Sequence, residues 1–169
     1  MKLNDLKQLL PGIFEKVKED VRKITDRHRA GFSLRLAKMG RLPGGGFIAG
    51  MHYYPGPDII INLSPLEIIL KNKPDEIIWA YTYHVLLHEY IHSLGIGIYK
   101  EKDCQINTLY ISEKIFKDKN HWAVKIAKYG IGVAIPDLEI KTDEHDWRPD
   151  SKSIEYVDGF DRDSQSLYS

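Results

Sequence analysis

The sequence predicts an α+β fold. A small, mostly antiparallel sheet of about three strands packs on one long apolar helix, with a helix before the sheet and further helices after it. Three observations predict it. Apolar residues recur at three- and four-residue steps up to about residue 28, alternate with polar ones in short runs between 32 and 63, and return to helical spacing from 76 onward.

Leu6, Leu10, Ile13, Val17, Val21 and Ile24 mark the first helix. Pro11 favours a first helical turn, so the regular part is expected to start there and to end near 28–31. Phe32, Leu34 and Leu36 alternate with Ser33 and Arg35 as a strand. After the glycine-rich turn 41–46, a second strand is expected over 47–54 and a third over 58–63, joined as a hairpin by Pro55-Gly56-Pro57. Ser64-Pro65 opens a short helix through residue 70. Pro74 and Asp75 open the next, over about 76–94, which Gly95 stops. Helices over about 101–118 and 121–128 follow.

The chain has 169 residues, which fits one domain. Residues 1–136 are expected to form it. The stretch 137–169, with ten acidic side chains against four basic, reads as a loosely ordered acidic tail that Trp147, Tyr156 or Phe160 could pin to the body. Lys plus Arg equals Asp plus Glu at 24 each, so no basic excess points to nucleic acid or to an anionic membrane. The single cysteine, Cys104, excludes an internal disulfide. The first residues do not read as a signal peptide and no apolar run is long enough to span a bilayer, so a reducing, cytoplasmic setting is expected.

The chemistry concentrates in His88-Glu89-Tyr90-Ile91-His92, an H-E-x-x-H pattern on the most apolar helix. Residues four apart share a helix face about 5–6 Å apart. His88 and His92 can therefore both reach one zinc at about 2.0–2.1 Å. Glu89 lies about 100° round the helix, where it can take a proton from water as general base without being a ligand. His84 continues the stripe. The outer two of three such histidines stand about 12 Å apart along the axis, so His84 is expected to pack or to support the site rather than to ligate. A third ligand is required. Glu101 is the preferred candidate, with Glu113, His121 and Asp103 as alternatives. Candidate oxyanion donors are His121, Tyr129 and Tyr83. Ile98 stands where the metzincin pattern needs another histidine.

The stretch 47–119 resembles the minimal core of gluzincin-type metallopeptidases, most closely the small archaeal predicted zinc metallopeptidases and the minigluzincins. In these a glycine- and tyrosine-rich edge strand and a second strand precede the H-E-x-x-H helix, and a later helix supplies a glutamate. Residues 46–54, 58–62, 88–92 and the helix from Glu101 are the matching parts. Several gluzincin families follow that glutamate with a small residue at the fourth position and a polar one at the fifth. Cys104 and Gln105 stand there after Glu101, which favours Glu101, although the gap from His92 is shorter than usual for the class.

The resemblance implies a zincin-like metallopeptidase with one zinc per chain, held by His88, His92 and Glu101, acting on peptides or unfolded protein through Glu89. The edge strand 47–54 could pair with an extended substrate, its glycines letting the two backbones approach. Two other classes stay open: a zinc hydrolase of another amide, and a non-catalytic or regulatory module on the same fold. A tail folded across the cleft, bringing His145 to the metal, would make the enzyme latent; a solvated tail is the plainer expectation.

Overall fold

The computed structural model describes residues 1–97, 100–138 and 147–161. Its first element, α1 (Leu3–Thr25), runs straight through Pro11. A proline inside a helix costs roughly 3 kcal/mol. Against this, Leu6, Leu10, Ile13, Phe14, Val17 and Val21 are all buried, and each such side chain contributes about 1.5–3 kcal/mol. Tertiary burial therefore wins, and the helix starts eight residues before the proline. Its entry is fixed by Asp5, whose Oδ2 accepts from the Lys2 amide at 2.9 Å. Asp26, in the left-handed region with φ 58°, ends it.

β1 (Ser33–Ala37), β2 (Gly50–His52) and β3 (Asp58–Asn62) follow, with β2 and β3 joined as the expected antiparallel hairpin. The sheet is mixed rather than mostly antiparallel. Its order is β2-β3-β1, with a fourth strand, β4 (Glu155–Tyr156), beyond β1, and the longest ladder, between β1 and β3, is parallel. A parallel pair needs a long crossover. Residues 38–57 supply it without a helix, so nothing periodic in the sequence announces it. Asn62 locks this region: fully buried, it accepts from the amides of Met39 (3.1 Å) and Ser64 (3.0 Å) and donates to the Ile48 carbonyl (2.8 Å). It thereby caps α2 (Leu63–Asn72) and ties it to the sheet.

The long helix is α3 (Asp75–Ser93), followed by α4 (Glu101–Phe116), α5 (Trp122–Tyr129) and the short α6 (Ile131–Ala134). From Ala80 onward every α3 residue is buried except His84, His88 and His92. A helix apolar on all sides belongs in the centre of a fold, and α3 packs against α1, α2, α4, α5 and strands β2 and β3. No helix among the described residues is long and apolar enough to cross a membrane.

The acidic tail gives way, over its described part, to structure. The single-turn η1 (Ser151–Ser153) leads to β4 (Glu155–Tyr156), which pairs antiparallel with β1. Val157 and Phe160 enter the core, where Phe160 stacks on Phe14 at 4.4 Å. Asp161 is fully buried. It accepts from the amides of Gly31 (2.5 Å) and Phe32 (2.6 Å) and from Lys18 Nζ (2.5 Å). Carboxylates that a charge count assigns to solvent are thus split, and this one holds α1 to the start of β1. His145, and with it the latency expectation, lies outside the described residues.

Candidate metal centre

The half-buried histidine stripe of α3 lines a cleft of about 1040 Å³, walled on one side by residues 46–52 and on the other by Ile126, Ala127 and Tyr129. β2 is one edge strand of the sheet, and it lies close to α3. A Cβ built on Gly50 would meet Val85 Cγ1 at 2.8 Å, the Ile60 carbonyl at 3.1 Å and Glu89 Cγ at 3.4 Å. Gly50 therefore serves the approach of strand to helix, on the inner side, rather than room for a substrate.

The rings of His88 and His92 stand 4.8 Å apart between centroids. Glu101, on the first turn of α4, reaches back between them. Its Oε2 lies 2.9 Å from His92 Nε2, and its Oε1 is in direct contact with His88 Nε2. Two ligands bound tetrahedrally at about 2.0–2.1 Å stand about 3.3 Å apart. The Glu101 Oε2–His92 Nε2 separation is a few tenths shorter, as expected where a proton bridges atoms that a cation would spread. The residues present fit a divalent metal, with two imidazoles and a carboxylate suiting zinc.

Cys104, one turn after Glu101, faces the same place. Its thiol donates to the His88 carbonyl at 3.2 Å and hydrogen-bonds the His88 ring. The ligating atoms of His88, His92 and Cys104 lie within 4.8 Å of one another. Two ligand trios thus share the histidine pair. Of Glu101 and Cys104, it is Glu101 whose carboxylate contacts both histidine rings directly.

Glu89 is 6% exposed and opens onto the cleft. Burial pushes its carboxyl up to about 7, the nearby His88 pulls it down and Glu101 adds to the rise. At His88 burial opposes the charged ring, but the Cys104 and Glu101 hydrogen bonds outweigh it and carry the group up to about 10. Glu101 is held below its usual range, chiefly by its hydrogen bond to His88.

The remaining candidates separate cleanly. Glu113 and Asp103 are exposed and do not line the cleft. His121 caps α5, its Nδ1 accepting from the Ala123 amide at 3.0 Å, with its ring stacked on Phe116. Tyr83 turns away from the cleft and donates to Asp20 at 2.7 Å. Tyr129 does line the cleft. His84 lines it too, its ring 6.2 Å from that of His88 and its Nδ1 without a hydrogen-bond partner. Burial, then the neighbouring His88, drives its pKa down to about 3, so the ring is neutral. Cys104 is not among the ligands expected from the sequence. Its i, i+3 spacing from Glu101 was the signal that could have drawn it in.

Compared with known proteins, the chain matches no family model, no curated protein and no solved structure.

Proposed function

We propose that this protein is a zinc-dependent metallopeptidase, with His88, His92 and Glu101 as protein ligands and Glu89 as general base. The observation that carries the reading is the Glu101 carboxylate spanning both histidines from a separate helix, with a buried carboxyl beside them whose pKa is raised towards neutrality. A general base works best with a pKa near the working pH.

The metal, when bound, acidifies water and polarises a carbonyl. The chain's own residues do the rest. Glu89 takes the proton from water as it attacks the scissile carbonyl and hands it to the departing amine. Tyr129 and the neutral His84 stand in the cleft as donors for the oxyanion. β2 presents an open strand edge beside α3, along which an extended peptide backbone can pair. Substrates of this class are peptides or unfolded segments, since a folded domain offers no free strand to that edge.

The deciding experiment pairs metal content with turnover. About one zinc per chain in the wild type, cleavage of an unstructured protein such as casein, and loss of cleavage with retained zinc in Glu89→Gln would support the reading. Zinc binding without any cleavage, unchanged by Glu89→Gln, would leave a non-catalytic zinc module instead. No zinc at all would remove both.

A further inference from the structure

Glu101 and Cys104 stand three residues apart on α4 and share one face. That face meets the α3 face carrying His88 and His92, four residues apart. Two facing helices therefore bring four donor side chains to one place: two imidazoles, a carboxylate and a thiol. The thiol is held close to that place. Cys104 is fully buried, its sulfur is held by the His88 carbonyl at 3.2 Å, and the turn after α3 is folded tightly onto it. A Cβ on Gly97, whose φ is +74°, would come within 2.7 Å of Cys104 Cβ.

We propose that Cys104 is a fourth protein ligand, closing the metal centre in the resting protein by occupying the position that a catalytic water needs. The inference rests on the metal-centre reading above and extends it. The ligating atoms of His88, His92 and Cys104 already lie within 4.8 Å of one another, against about 3.6 Å between sulfur and nitrogen in a tetrahedral site, so a small side-chain adjustment brings the thiol to a shared cation. On ligation the S–H bond breaks, the proton passes to solvent and the thiolate sulfur binds the cation. In the reverse step water takes the vacated position and the sulfur regains a proton. A centre with four protein ligands is closed, whereas a working hydrolytic centre keeps one position open. Turnover then requires the thiol to give way, and removing it frees the water position permanently.

Cobalt(II) substitution tests this without reference to activity. The protein has one cysteine, so any sulfur-to-cobalt charge-transfer band in the near ultraviolet, recorded in buffer free of added thiols, comes from Cys104. We expect that band in the wild type beside the visible ligand-field bands of a tetrahedral site. Cys104→Ser and Cys104→Ala should lose the charge-transfer band, keep the ligand-field bands and cleave peptide severalfold faster. Ligand-field bands in the wild type with no charge-transfer band would overturn the Cys104 proposal and leave the three-ligand centre standing. No cobalt bands of either kind in the wild type would overturn both. Because the wild-type spectrum decides by itself, failure of either variant to fold leaves the test intact.

Discussion

Glu101 Oε2 lies 2.9 Å from His92 Nε2, although the two residues belong to different helices separated by a glycine-bearing turn. On the proposed reading, this contact, with its twin from Oε1 to His88, makes α4 rather than the end of α3 the source of the third ligand. Glu101→Gln should weaken zinc binding by more than about 100-fold, because loss of even an outer-shell partner typically costs 10–100-fold. Glu113→Gln and His121→Ala should leave zinc stoichiometry unchanged. Competition with a colorimetric chelator measures all three. Equal affinity in wild type and Glu101→Gln would exclude Glu101 as a ligand.

Glu89 makes a second, separable prediction. It is buried beside the histidines without bridging them, so Glu89→Gln should retain zinc at wild-type stoichiometry. Its kcat should fall by about 10²–10⁴-fold, the usual worth of a positioned general base. KM should change little, since the amide fills the same space. A variant that lost zinc would move Glu89 from base to ligand.

Much of this site was legible in the sequence, and the reasons are local. The i, i+4 spacing of His88 and His92 gives them one face of any α-helix, with Glu89 about 100° round it, so this arrangement followed from the 3.6-residue period alone. Tyr83 was misjudged because periodicity does not reveal which neighbour a helix face meets; here α1 meets it through Asp20. The parallel β1–β3 ladder and the buried Asp161 depend on contacts across 25 residues or more. Composition averaged Asp161 into an acidic tail, while the structure gives it two backbone amides and a lysine as donors.

That residue yields a stability prediction. Removing one partner of a buried, hydrogen-bonded ion pair costs about 3–5 kcal/mol, so Asp161→Ala should lower stability by about that amount in urea titrations. Truncation after Pro136 should unfold the protein outright, because it also removes β4, Val157 and Phe160. A truncated chain with a wild-type melting transition would refute this and restore the view of 137–169 as a dispensable tail.

The cap of α5 should be sensitive to acid. His121 accepts the Ala123 amide through Nδ1, a bond that a protonated ring cannot make. Burial accordingly holds its pKa below the ordinary 6.5. The unfolded chain then binds this proton at a higher pH than the folded chain does. The contribution is fully present above pH 6.5 and lost as pH falls through the lower folded value. Serine is a good N-cap without a charge to gain. The stability difference between wild type and His121→Ser should therefore shift towards the variant as pH is lowered from neutrality. His52, also depressed by burial, is common to both proteins and cancels in the difference. A pH-independent difference would mean that the ring does not act as the cap.

The missing side chain of Gly50 sets the distance between the open edge strand β2 and the helix that carries Glu89. Gly50→Ala would place a methyl 2.8 Å from Val85 Cγ1 and 3.1 Å from the Ile60 carbonyl. The side chain can rotate or be shortened; the backbone carbonyl can only shift with its strand. Over-packing of this kind costs about 1–3 kcal/mol, and the strand should move outward, away from Glu89. Both stability and kcat/KM should fall. Adding Val85→Ala removes the nearer clash, so the double variant should recover part of the stability lost in Gly50→Ala, with a coupling energy of about 0.5–3 kcal/mol. The carbonyl contact remains, so activity should recover less than stability. Simple additivity of the two substitutions would show that β2 and α3 do not meet at these atoms, and the cleft would need a different wall.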